Sequence, residues 1–403
     1  MRSASYRPQL LTCLFWTVIS CVGCHTTEPP TDFAQGSHTS WTVPVKYSGT
    51  EKGTVLQRLM NVGLQRSEII LGQNIGATCN SIADLEREIE KLEELSDDRK
   101  RPMLIGIDYG WGDMNADEIR KANKILIDHW NRGGLITINF DPGNPVTGKP
   151  DPNDTTRVDL RRVTLPGTEE NRHFSRQLRI VATGLRELQR HGVVVLWRPI
   201  HEPNGGWFWW CSHDESTDEW TSPEHYRLFW EYIHRELTVG YGLNNLVWVY
   251  SPASMAYSAI RPTDMYYPGD DYVDMIGIDL YTDSFTRESF NAQNGFTSLR
   301  KFNKPLAISE MGSHRLDGSF NAHHALDAIF DYCPDAKYVL FWHSWNDGPK
   351  RLPMALVDCI DAEKVMNDPR ALTLSPQFRS ESTGTSTDKE ALIQRFIDHG
   401  INH

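Results

Sequence analysis

Several features that mark common function classes are missing from this 403-residue chain. It has no basic excess: 41 Lys and Arg stand against 53 Asp and Glu, a formal charge of −12. A nucleic-acid partner needs a basic face to neutralise phosphates, so that class is excluded and neutral or cationic ligands fit better. The cysteines, seven in all, show no paired Cys-x-x-Cys spacing of the zinc type. Cys333 and Cys359 are candidates for a disulfide, which spacing alone does not establish. The first apolar run ends in "GQNIGA", which lacks the glycine pattern that cradles a dinucleotide. "HEPNG" (201–205) lacks the second His of a zincin helix, and Pro203 with Gly205 and Gly206 forbids that helix. No metal or other cofactor is expected. No internal repeat occurs, and no apolar run is long enough to span a membrane.

What is present begins with an address. "MRSASYR" is a short basic region, followed by the apolar "PQLLTCLFWTVIS" and then "CVGCHTTEPP". This is the layout of an export signal, removed from the mature chain. "VISC", ending at Cys21, resembles a bacterial lipobox, whose cysteine is lipidated; Cys24 is a second candidate, and a plain secretory signal is the alternative. A lipid would hold an otherwise soluble chain on a membrane surface, facing the periplasm or the cell exterior. Residues 1–24 are read as signal, 25–55 as polar linker, 56–370 as one catalytic domain and 371–403 as a tail in which "KEALIQRFIDHG" is a possible short helix.

Within the domain, eight short apolar runs (68–77, 102–110, 134–140, 192–200, 245–251, 273–281, 305–312 and 337–345) alternate with segments of helical periodicity such as "SIADLEREIEKLEEL". Near-continuous apolar runs are what strands buried on both faces look like. Eight βα units in series predict a (β/α)8 barrel, with a doubly wound open sheet as the alternative. Residues 142–170, rich in Pro, Gly, Asn and Asp, read as a long loop after the third strand.

Barrel sites lie at the C-terminal ends of the strands. The residues there are Asp108, Tyr109, Asp141, His201, Glu202, Ser251, Asp279, Tyr281, Glu310, Trp342 and Trp345, an acidic and aromatic set. Glu202 and Glu310 each end an apolar run, so both carboxylates rise into one mouth. Glycosidic cleavage uses such a pair, one carboxyl donating a proton and the other attacking, with their proton affinities driven apart. Arg198, in phase with Glu202 on the pleat, favours an ionised neighbour, which the placement suggests is Glu310. A structural Arg198–Glu202 ion pair is the competing reading. Of the 13 Trp, three lie in "GGWFWW" (205–210), after a Gly-Gly turn. Indole faces match the flat C–H faces of sugars. Trp207 and then Trp210 are the expected sugar contacts, with Phe208 and one Trp packing inward.

"LWRPIHEPNGGWFWW" (196–210) resembles the strand-four signature of glycoside hydrolase family 26, a family of retaining β-mannanases with glutamates on strands four and seven. The resemblance runs from about Gly72 to Pro369 and includes "YYPGDDYVDMIGIDLY" and "PLAISEMG". It implies a barrel enzyme acting on a β-mannan polysaccharide. It also implies Glu202 as acid/base, Glu310 as nucleophile, His201 as a contact to sugar hydroxyls, Tyr281 beside the nucleophile, and Trp207 and Trp342 as stacking rings. Two departures stand out. "FDPGNP" (140–145) puts Phe140 and Asp141 where many members have Trp and His, and "WHSWND" (342–347) puts His343 where Arg is common. Both border the non-reducing-end subsites of the family, so Asp141 is a candidate substrate contact, and β-1,3-xylan or mixed-linkage glucan are alternative substrates. A glycan-binding protein without activity is a further alternative, which the presence of both glutamates disfavours.

Overall fold

The computed structural model describes residues 42–376 except 65–66, 112–113, 255–259 and 288–294. Cys21, Cys24 and "KEALIQRFIDHG" lie outside the described residues.

Eight strands close a parallel barrel: β1 (Ile69–Ala77), β2 (Leu104–Gly110), β3 (Leu135–Asp141), β4 (Val195–Pro199), β5 (Leu246–Tyr250), β6 (Met275–Ile276 and Asp279–Tyr281), β7 (Leu306–Gly312) and β8 (Ala336–Phe341). Each pairs in parallel with the next, and β8 returns to β1 through Ile70–Tyr338 and Gln73–Phe341. All eight runs therefore become barrel strands, and closure removes the open-sheet alternative. The interruption in β6 falls at Gly277, where a Cβ would stand 2.2 Å from the Ser309 hydroxyl on β7. Only glycine permits that approach.

Alternation along each strand divides the core into two layers. Outward residues such as Ile105, Ile107, Ile136 and Ile138 pack under the helices, while inward residues such as Leu104, Leu135, Leu196, Val247 and Leu340 fill the barrel floor. Followed toward the C-terminal end, the inward column changes from apolar through small to polar: Leu104, Gly106, Asp108 on β2 and Leu135, Thr137, Asn139 on β3. This gradient puts polar chemistry at one end only. Tyr109 faces the helices instead, its hydroxyl donating to Asn123, so it is not a mouth residue.

Two expected boundaries shift. The helix Glu51–Asn61 starts inside the presumed linker, capped by the Thr50 side chain, which accepts from the Gly53 N–H at 3.0 Å. It is not a spacer, because Val55, Leu56 and Leu59 close the barrel floor. Ala371–Leu374, at the start of the presumed tail, form a strand beside β1 and antiparallel to Arg101–Pro102. The expected loop after β3 contains a short helix, Leu160–Thr164, and the residue that caps the long helix Glu169–Arg190. Cys333 and Cys359 are not joined; both thiols are free, and Cys359 donates to the Ala355 carbonyl at 3.3 Å.

Candidate active site

The polar ends of the strands meet in register. Asp108 on β2 is paired with Asn139 on β3, Asn139 with Arg198 on β4, and Asp279 on β6 with Glu310 on β7. The last pair sets two carboxylates side by side, an arrangement that repulsion forbids without a cation. Arg198 supplies it. Fully buried, the guanidinium donates through Nη1 to Asp279 at 2.8 Å, through Nη2 to Glu310, and through Nε to Asn139 at 2.9 Å. Arg198 thus faces Glu310 and not Glu202, and the competing Arg198–Glu202 pair is not formed. Asp279 also accepts from the Ser251 and Ser309 hydroxyls, each at 2.7 Å. Tyr281 donates to the second oxygen of Glu310 at 2.5 Å.

Glu202 lives in different surroundings. Past β4 the chain turns through Ile200 (φ 42°) and Glu202 (φ 51°), both in the left-handed region. Non-glycine residues there cost about 1–3 kcal/mol each, strain that persists where a fold over-determines it. The Glu202 N–H is held by the Ser251 carbonyl at 2.7 Å. Its carboxyl is buried and takes one side-chain hydrogen bond, from the Trp207 indole N–H at 2.7 Å. Burial pushes it up to about 8, with Asp279 and Glu310 adding to the rise and His201 opposing it. Asp279 is likewise pushed up by burial, to about 7, against the pull of Arg198. His201, Glu202, Asp279 and Glu310 each bring one atom within 4.8 Å of the others. Three carboxylates and an imidazole form a donor set that a cation accepts, but Arg198 already stands between two of the carboxylates.

The proton on Glu202 makes a measurable prediction. Its unfolded value is about 4.3, and its folded value is higher. Between these limits only the folded state keeps the proton, so its contribution to stability is full below about 4.3 and is lost as pH rises through about 8. Glu202→Gln, whose amide oxygen still accepts from Trp207, removes this dependence. Thermal melts from about pH 5 to about pH 9 are expected to show the unmodified chain losing stability relative to the variant. Identical pH dependence in the two would contradict the assignment.

His201, also buried, lies with Nδ1 3.0 Å from Asp141 Oδ1 and Nε2 3.6 Å from Glu310 Oε1. Burial is the largest single effect and disfavours its charge, but Asp141 and Glu310 together push it up to about 9. The aromatic run divides unevenly. Trp207 is partly exposed beside Glu202, whereas Phe208, Trp209 and Trp210 are all buried. Trp210 stacks on Phe208 with ring centroids 4.5 Å apart and donates to the His201 carbonyl at 2.9 Å. It supports the floor under His201 and presents no face to a sugar, which corrects that expectation: three of the four rings pack inward. Asp141 is corrected too. At 1% exposure, its carboxylate is committed to His201 and to the Trp111 indole N–H, 3.0 Å away, so it has no surface for substrate. Trp342 is buried, with the Arg198 guanidinium 5.9 Å from its ring centroid. His343 is partly buried on the Asp108 side of the mouth, Nδ1 4.0 Å from Asp108 Oδ2, and burial pulls it down to about 4.

Sequence reasoning missed Trp111, Asn139 and Ser309, and gave Asp279 no role. Asn139 and Asp279 carry a signal in hindsight, as inward polar residues near the ends of apolar strands. Trp111, at φ 53°, has none beyond its place after β2.

A barrel with one buried, arginine-bound glutamate on β7 and one proton-holding glutamate after β4 is matched by known sequences. The profile of "Glycosyl hydrolase family 26" covers residues 50–374. The chain belongs to this family. A mannan endo-1,4-beta-mannosidase of Bacillus subtilis is 34% identical over 252 residues, 60% of this chain and 66% of that protein. The mannan endo-1,4-beta-mannosidase A and B of Caldalkalibacillus mannanilyticus is 33% identical over 255 residues, 62% of this chain and 48% of that protein. The matches thus span less than two thirds of these relatives. A solved Bacillus subtilis mannanase superposes with a TM-score of 0.67 at 25% identity, covering 82% of this chain and 94% of that one. Family membership gives the (β/α)8 fold observed here a common origin with these enzymes.

Proposed function

We propose that this chain is a retaining endo-β-1,4-mannanase. The observation that carries the reading is the contrast between two carboxyls within 4.8 Å of each other. Glu310 accepts from Arg198 and Tyr281, while Glu202 is buried, takes a hydrogen bond from the Trp207 indole N–H and retains its proton near neutral pH. Retaining glycosidases hold their carboxyl groups about 5–5.5 Å apart, and inverting ones leave about 6.5–9.5 Å for a water. In this reading Glu310 attacks the anomeric carbon, displacing the leaving oxygen as Glu202 protonates it. Glu202, now ionised, takes a proton from water, which attacks the glycosyl-enzyme and frees Glu310. Trp207 stacks on the sugar beyond the cleaved bond, with its N–H holding Glu202 in line. His201, Tyr281 and Trp342 line the position of the sugar that becomes attached.

Mannan is favoured among β-glycans because the relatives named above are mannan endo-1,4-beta-mannosidases. Incubation with galactomannan, glucomannan, β-1,3-xylan and lichenan, followed by reducing-end assay, tests it. Release is expected from the two mannans. Release from β-1,3-xylan or lichenan alone would assign another specificity, and binding without release would make the protein a glycan binder.

We further propose that the chain is exported and lipid-anchored through Cys21, on the strength of the apolar segment ending in "VISC". Labelled palmitate is expected to enter the protein and to be lost in Cys21→Ser. Retention of label in that variant would move the anchor to Cys24, and no label in either would leave a plain secretory signal.

A further inference from the structure

Asp141 ends β3 with a carboxylate that is buried yet reaches no substrate surface, and its two oxygens serve two groups. One accepts from the Trp111 indole N–H at 3.0 Å, and the other stands 3.0 Å from His201 Nδ1. The far nitrogen of the same imidazole faces Glu310 Oε1 at 3.6 Å. His201 is further held from behind, because its carbonyl accepts from Trp210 and its ring lies 5.1 Å from that of Phe208. A carboxylate oxygen thus stands near each nitrogen of the ring, Asp141 at 3.0 Å and Glu310 at 3.6 Å. We propose that Asp141 is a positioning residue: it keeps His201 a buried imidazolium directed at Glu310, giving the mouth a second fixed cation beside Arg198.

The charges around His201 are consistent with this. Asp141 faces it from β3, Arg198 and Glu202 from β4 and its exit, Asp279 from β6 and Glu310 from β7. Burial and Arg198 oppose the imidazolium, while Asp141 favours it most strongly and Glu310 adds less. Removing Asp141 takes away the largest effect that favours the imidazolium. The cation has a use in each half-reaction. It sits beside Glu310 before attack, and it favours the ionised form of Glu202 when that residue must accept a proton from water. This role rests on the reading of Glu202 and Glu310 given above, but the protonation state of His201 does not, and the two are tested apart.

The test is the imidazole titration of His201 followed by NMR in the full chain, with Asp141→Asn compared to the unmodified protein. Asn keeps an acceptor for Trp111, removes the charge and turns an NH2 donor toward His201 Nδ1. In the unmodified protein His201 is expected to lose its proton near pH 9, and in Asp141→Asn below the ordinary value of about 6.5. Trp111→Phe, which removes the other partner of Asp141, is expected to leave the titration in place. On mannan, Asp141→Asn is expected to lower kcat on the order of 10²-fold. In a His201→Ala background the same change should cost nothing further. A His201 that still titrates near 9 in Asp141→Asn would overturn the proposal, as would a full additional loss in the His201→Ala background. If the unmodified protein fails to cleave any mannan while the titration shifts as expected, the functional reading fails and the Asp141–His201 coupling stands.

Discussion

Glu310→Gln is expected to reduce mannan hydrolysis by about 10⁴-fold or more while leaving the fold intact, because an amide cannot form the glycosyl ester on which the second half-reaction depends. The substitution is nearly isosteric. The amide oxygen can still accept from Tyr281 or Arg198, and the guanidinium keeps Asp279. Circular dichroism and the melting transition should therefore change little, while reducing-end release disappears. Turnover above about a tenth of the unmodified rate would move the nucleophile elsewhere, with Asp279 as the next carboxylate within reach.

Arg198→Met carries the second large effect, and it is on stability as well as rate. Asp279 and Glu310 are register partners on adjacent parallel strands, fully or almost fully buried, and this guanidinium separates their charges. Removing one member of a buried ionic cluster costs about 3–5 kcal/mol, because the remaining charges are left without compensation. Asp279 is already pushed up to about 7 by burial and would rise further without Arg198. Its stabilising proton is fully present below about 3.9 and lost as pH rises through the folded value, so the variant should weaken more steeply than the unmodified protein toward alkaline pH. Urea unfolding across pH measures this. Adding Asp279→Asn to Arg198→Met removes one of the opposed charges, and at least half of the lost stability should return. No return would mean that Arg198 acts by packing alone.

The barrel was legible because its strands are buried on both faces, which leaves long apolar runs with no alternation to misread. The two glutamates were legible for a related reason: a carboxyl at the end of "VVVLWRPIH" or "KPLAIS" is conspicuous. Arg198 and Tyr281 were legible as partners of Glu310, whereas Asn139, Ser309 and the role of Asp279 were not. That Arg198 reaches Glu310 rather than Glu202 depends on the shear that brings β4, β6 and β7 to one level, and on the turn through Ile200 that swings Glu202 away. Trp210 and Asp141 were misplaced for a similar reason. A residue at a strand end or in the loop after it can lie beneath or beside the site in space: Trp210 bonds the His201 carbonyl, and Asp141 lies 3.0 Å from its Nδ1. The helix at Glu51 was hidden in a polar stretch because its apolar face is narrow, built on Val55, Leu56 and Leu59.

The anomeric form of the first product tests the central claim most directly. Proton NMR of mannohexaose during the first moments of cleavage, before mutarotation, distinguishes one displacement from two. Two displacements at Glu310, with Glu202 serving as acid and then base, predict that the new reducing end appears as the β anomer. Initial appearance of the α anomer would contradict the account, since it would mean a single displacement by water in place of attack by Glu310.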